Sequence, residues 1–285
     1  MTGSDRTAGA LTLAVIGLGD LGSAIAERLR TTDHMLRVFD VRPEQAKLFD
    51  EAAVLSIRDA ASGADALIVV VGDDAQLRGV VDEAIAAAPP PRLVIVHSTV
   101  HPETVQALGA RAADAGIGFV DAPVTGGRPA VEHGVLTAFA AGAAADVKAA
   151  NDIFVHYCRN VERVGELGAG QIAKIANNAM SIINTMLAVE VVRVLEGIGM
   201  DAEMVRRAIV AGGTGSSRAL AGTDGEGFGT SWAKRRQSLD PSLTDEVPVV
   251  GIKDVGHALS LARSAGVETP LIAAGLAQLH AFGSK

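Results

Sequence analysis

The chain is 285 residues long and 48% hydrophobic, with 25 basic against 33 acidic side chains and a formal net charge of −8. That length suffices for two domains with their own cores, and the acidic balance argues against nucleic acid or an anionic membrane as a partner. Cys158 is the only cysteine, which excludes an intrachain disulfide and reads as a small buried hydrophobe in a chain expected in the cytoplasm.

The N-terminal apolar run is too short for a signal sequence. In the first half, short β-branched runs alternate with alanine-rich helical ones: "LTLAVIG" from Leu11, "LRVFD" from Leu36, "ALIVVVG" from Ala66, "LVIVHST" from Leu93, "GFVDAPV" from Gly118 and "LTAFAAG" from Leu136. Helices are expected between them, among others over 21–30 and 76–87. Continuously apolar strands spaced by helices predict a parallel sheet covered on both faces, an α/β doubly wound domain of the Rossmann type over 1–165.

Beyond Glu166 the period changes. Ile172, Ile175, Ala176, Ala179, Ile182, Ile183, Met186, Leu187, Val194 and Leu195 recur at helical spacing, predicting one long helix over 169–196 that ends at Gly197 and joins the two domains. The most apolar part of it, from Met180, is broken by Asn184 and Glu190 and falls short of the ~18 residues a membrane span needs. Helices are also predicted over 201–211 and within 253–282, the last one starting at Pro270, so that 166–285 forms an all-α domain. Residues 212–247 read as a long loop, with a solvated basic run at Lys234, Arg235 and Arg236.

Gly17, Gly19 and Gly22 stand in G-x-G-x-x-G spacing directly after the first strand and at the start of a helix. The first glycine permits a tight turn, the second lets a pyrophosphate approach the backbone, and the third allows close helix packing. Asp40, at the end of the second strand, suits an adenosine ribose and repels a 2′-phosphate, which favours NAD; Arg42 beside it leaves NADP open. Farther on, Thr125, Gly126 and Gly127 form a turn that either offers N–H groups to a carboxylate or is a plain glycine hairpin.

Five ordered blocks carry a resemblance: the glycine motif at 15–29, "HSTVHPET" at 97–104, "DAPVTGG" at 121–127, "GAGQIAKIANN" at 168–178 and "GIKDVGHALSLARSAGVETPL" at 251–271. Together they resemble the β-hydroxyacid dehydrogenase family, typified by 3-hydroxyisobutyrate dehydrogenase. The resemblance implies reversible oxidation of a small 3-hydroxy acid to its semialdehyde with NAD(P), in a cleft between the domains. It implies that Thr125, Gly126 and Gly127 hold the substrate carboxylate, that Lys174 is the acid/base and that Asn178 orients the substrate. For the cofactor it implies Gly17, Leu18, Gly19, Asp20, Leu21, Gly22, Asp40, Val41, Arg42, Val71 and Gly72, with Ser98 and Thr99 near the nicotinamide and Lys253 approaching from the C-terminal domain.

Lys174 and Asn178 are four residues apart and so share a helix face. A lysine there suits proton transfer, provided partial burial or a positive neighbour such as Lys253 lowers its pKa from about 10.4. Asp254 reads as a helix cap or salt-bridge partner, and Asn177 as a backbone contact. The chain departs from the family pattern at Arg128, Pro129, Ala130 and Val131, where small apolar residues are usual. Arg128 is expected either outward in solvent or as a cationic contact to a second anionic group. His97 replaces a common aspartate, and it, His101, His133 and His257 are expected in hydrogen-bonding or surface roles. No residues show metal-ligand spacing, and no metal is expected. The competing readings are a reductase of another semialdehyde or imine, and a non-catalytic dinucleotide-binding protein. The apolar helices imply a homodimer or homotetramer.

Overall fold

The computed structural model describes residues 9–197, 200–211, 249–264 and 270–282. The loop expected over 212–247, with its basic run at 234–236, lies outside them. The chain divides into two compact units, Met1–Lys174 and Ile175–Lys285.

The first unit carries β1 (Thr12–Ile16), α1 (Asp20–Leu29), β2 (Met35–Phe39), α2 (Pro43–Lys47), α3 (Ile57–Ala61), β3 (Ala66–Val69), α4 (Asp74–Ile85), β4 (Leu93–Val96), α5 (Pro102–Asp114) and β5 (Gly118–Asp121). It continues with β6 (Val124–Thr125), α6 (Gly127–Glu132), β7 (Leu136–Ala141), α7 (Ala144–Phe154), β8 (Cys158–Gly165) and the first residues of α8 (Ala169–Gly197). The sheet order is β2-β1-β3-β4-β5-β7-β6, with β8 on β7. The first five strands are parallel. β7 runs antiparallel to β5 and β6, and β8 parallel to β7.

Both sheet faces are buried, which is why these strands read as unbroken apolar runs. Leu13, Val15, Ile68, Ile95 and Val120 face one core with Ile25 and Leu29 of α1 and Ile153 and Phe154 of α7. The alternate residues, Ala14, Ile16, Leu67, Val69, Val94 and Val96, face the other with Leu77, Val80 and Val81 of α4 and Val105 and Leu108 of α5. α4 starts two residues earlier than its apolar spacing suggests, because Asp73 caps it by accepting the Gln76 N–H at 2.8 Å. β8 went unread in the sequence: it is mostly exposed and carries Arg159, Asn160, Glu162 and Arg163, so there is no apolar alternation to see.

The second unit holds the rest of α8 with α9 (Ala202–Ala211), α10 (Val249–Ser264) and α11 (Pro270–Phe282). Met186, Val255 and Leu279 form its core with Ile182, Ile252, Ile272 and Leu276. Pro270 opens α11 as expected, since a first helical position needs no N–H donor. Among the described residues no helix is long and apolar enough to cross a membrane.

Candidate active site

The predicted cofactor residues of the first unit gather where the parallel strands end, the edge at which open α/β sheets bind ligands. Gly17 follows β1 with φ +90°, and a Cβ there would overlap the Val70 carbonyl oxygen. At Gly22 a Cβ would overlap the Gly17 carbonyl oxygen, whereas one at Gly19 would meet nothing. Two glycines are therefore required by packing, and the third leaves open space at the N-terminus of α1. These are the three demands a bound pyrophosphate makes on that turn.

Asp40, only 8% exposed, follows β2. One of its oxygens accepts the Leu18 N–H at 2.6 Å, and the other accepts the Arg42 backbone N–H at 2.8 Å and its Nε–H at 3.2 Å. The carboxylate thus fixes the glycine turn and is itself partly neutralised by Arg42. After β3 and β4, Ser98 Oγ accepts the Val71 N–H at 2.7 Å, joining the two loops expected along the cofactor. Gly72 donates its N–H to Gln76 Oε1 at 3.0 Å, and Thr99 is half-buried beside Ser98. The residues present fit NAD(P).

Lys174, half-buried, stands on the second turn of α8. One turn earlier Gln171, fully buried, donates to Ser98 O at 2.9 Å and to Asp121 Oδ1 at 2.7 Å, and accepts the Val100 N–H at 2.9 Å. Asp121 is fully buried as well, and desolvation pushes its carboxyl up to about 6, although Gln171, Gly168 and Gly170 bond to it. The sequence reading missed both residues. Each stands inside a quoted block, but no local signal pairs two polar residues fifty positions apart.

Thr125 ends β6, and Gly126 (φ +127°) and Gly127 (φ +66°) lead into α6, so the turn needs glycine at both positions. Arg128 is only 25% exposed and lies against its neighbours rather than free in solvent. Its guanidinium is held at 2.8 Å by Glu27 of α1, at 2.8 Å by Glu132 of α6 and at 3.1 Å by Ser23 Oγ. The carboxylate on α1, four positions from Ser23, captures it.

In the second unit Asn178, Lys253 and Asp254 come together. Asn178 Nδ2 donates to Asp254 Oδ2, and Lys253 Nζ lies 3.6 Å from Asp254 Oδ1. Asp254 is therefore a salt-bridge partner, and it also fixes the Asn178 amide. Asn177 Nδ2 donates to Asn178 Oδ1 at 3.3 Å. Of the histidines, His97 is buried between the Ala122 carbonyl and the Tyr157 hydroxyl, and His133 bonds the Pro129 carbonyl at 2.7 Å on the surface. The His101 backbone N–H donates to Asp74 at 3.0 Å, and His257 is buried.

The family model described as the NAD binding domain of 6-phosphogluconate dehydrogenase matches residues 12–165. The model described as NAD-binding of NADP-dependent 3-hydroxyisobutyrate dehydrogenase matches 168–285. An uncharacterized oxidoreductase of Mycobacterium tuberculosis is 31% identical over 94% of this chain and 92% of its own. The NAD-dependent L-serine dehydrogenase of Pseudomonas aeruginosa is 29% identical over 91% of this chain and 88% of its own. Among solved structures, the 3-hydroxyisobutyrate dehydrogenase of Mycobacterium tuberculosis, with L-serine, shares the fold at a TM-score of 0.79 and 24% identity, covering 97% of this chain and 94% of that one. With the glycine turn after β1, Asp40 after β2 and Lys174 on α8, the chain belongs to the β-hydroxyacid dehydrogenase family of NAD(P)-dependent oxidoreductases acting on CH–OH groups.

Proposed function

We propose that the protein oxidises a small 3-hydroxy acid reversibly to its semialdehyde, with Lys174 as the acid/base. One observation carries the reading. The helix bearing Lys174 is tied through Gln171 to Ser98 and Val100, on the loop that follows β4 at the cofactor end of the sheet. A bound NAD(P) would supply the acceptor for the hydride that leaves the carbinol carbon. Lys174, as free amine, accepts the hydroxyl proton as that C–H bond breaks; in reduction its ammonium returns the proton and stabilises charge developing on the carbonyl oxygen. Thr125, Gly126 and Gly127 hold the substrate carboxylate. Asn178, its amide fixed by Asp254, orients the hydroxyl carbon, and Lys253 adds positive charge for the anionic groups.

NAD is the preferred cofactor, since the Asp40 carboxylate disfavours a 2′-phosphate; Arg42, folded onto Asp40, lets NADP be tolerated. The protein works in the cytoplasm as a homodimer or homotetramer. The substrate class is that of the relatives, which include an L-serine dehydrogenase and a 3-hydroxyisobutyrate dehydrogenase. The test follows NADH and NADPH formation over 3-hydroxyisobutyrate, glycerate and L-serine, for the parent and for Lys174→Met. We expect turnover of one acid, faster with NAD, and a loss in kcat of about 10²–10⁴-fold in the variant with NAD binding intact. Equal activity of Lys174→Met overturns the assignment of the lysine; NAD binding without turnover of any acid overturns the substrate class.

A further inference from the structure

A helix start leaves four N–H groups without partners inside the helix, and a short polar side chain at the residue before it normally accepts one of them. α8 begins after Gly168, which has no side chain to offer, and its second residue is Gly170. The missing acceptor comes from the sheet. Asp121, the last residue of β5, accepts the N–H of Gly168 at 3.2 Å and of Gln171 at 3.1 Å on one oxygen, and the Gln171 side-chain amide at 2.7 Å on the other. Gln171 stands at the third helical position, where a Glu or Gln usually turns back to its own cap. Here it reaches instead across to the Ser98 carbonyl and the Val100 N–H, both at 2.9 Å. Its two amide donors and its oxygen are all engaged.

We propose that Asp121 and Gln171 are positioning residues for Lys174: together they lock the first turn of α8 to the ends of β4 and β5 and so set where the Lys174 ammonium stands. The proposal rests on the reading of Lys174 as the acid/base. Three features support it. The first turn lies close against the strands, since a Cβ on Gly170 would lie 2.5 Å from the Phe139 carbonyl oxygen and 2.8 Å from that of Asp121. Lys174 follows Gln171 by three residues, so one turn of helix carries the fixed position to it. The pair is also held at an energetic cost. Both side chains are fully buried, and an apolar pair of like volume would avoid desolvating a carboxylate. A fully satisfied polar pair gives what an apolar pair does not, a single register for the helix it ends.

The test is a double-mutant cycle. Gln171→Met and Asp121→Asn are made alone and in the Lys174→Met background, and kcat, KM for the acid turned over in the panel above, the NAD dissociation constant and the thermal melt are measured. A lysine displaced by about an ångström loses about 100-fold, so we expect Gln171→Met to lower kcat about 10- to 100-fold. KM, NAD affinity and the cooperativity of the melt should stay close to the parent's. In the Lys174→Met background the same substitution should cost less than about threefold, because there is no longer a lysine to misplace. A folded Gln171→Met with the parent's kcat overturns the proposal. So does a loss that multiplies undiminished on top of Lys174→Met, the mark of general structural damage. Full activity of Lys174→Met alone would instead sink the assignment of the lysine, so the two failures are distinguishable. Should Asp121→Asn not melt cooperatively, the Gln171 cycle decides alone, with Gln171→Glu, which keeps the acceptor for Val100, in reserve.

Discussion

His97 and Asp121 end neighbouring strands, and their titrations oppose one another. The His97 Nδ1 lies 2.6 Å from the Ala122 carbonyl, which only accepts, so that nitrogen carries the proton and Nε2 accepts from the Tyr157 hydroxyl at 2.9 Å. The ring is neutral, and burial lowers its pKa to about 4. Between about 4 and 6.5 the unfolded chain binds this proton and the folded chain does not, so His97 makes stability fall as pH drops through that window. Burial raises Asp121 to about 6, so between 3.8 and about 6 the folded chain binds the proton and the unfolded one does not. Its contribution runs the other way and falls as pH rises. Calorimetry at pH 5 and pH 7.5 separates them. Taking the acid loss in Tm of the parent as reference, His97→Gln should show a smaller loss and Asp121→Asn a larger one, by a few degrees each. Shifts of the same sign in both variants would refute this picture of the two groups.

At the scale of elements, α1 and α6 are joined through Arg128. α1 starts at the Gly17–Gly22 turn, and α6 continues from the Thr125–Gly127 turn, so one guanidinium, 25% exposed, links the two turns. Removing it leaves Glu27 and Glu132 about half exposed and free to hydrate, so Arg128→Met should lower stability by only about 1 kcal/mol. The functional effect should be larger and selective. With α6 untied, KM for the hydroxy acid is expected to rise several-fold while NAD affinity stays near that of the parent. An unchanged KM would mean that the clamp serves α1 and α6 alone. This contact was beyond reach from sequence, since Arg128 and Glu27 are 101 positions apart and each has the composition of an ordinary surface residue. The same reason hides Asp121 and Gln171. By contrast the steric demands at Gly17 and Gly22 were legible, because they arise within one turn of six residues. Long elements with a repeating apolar face, such as α8, were legible as well; β8, which buries little, was not.

For the molecule as a whole, the balance of apolar surface and charge argues for self-association. The mean hydropathy is +0.29, a composition rich in apolar side chains, and the net charge is −8. In the single chain some of that surface is uncovered. Met180 on α8 is 70% exposed, Met204 on α9 is 56% exposed, and Met200 just before α9 is exposed too. One exposed apolar side chain means little, but three flexible thioethers, on α8, on α9 and just before α9, are the kind of surface a partner would cover. Closed, two-fold assemblies are the commonest outcome for such faces. Light scattering at micromolar protein should therefore give a mass that is twice or four times the 29.1 kDa of the chain. Met180→Glu places a carboxylate where that face would be dehydrated, and it should shift the mass toward the single chain while the melt stays cooperative. A parent that scatters as one chain throughout would show that these methionines remain in water, and the inference of a homo-oligomer would fall with it.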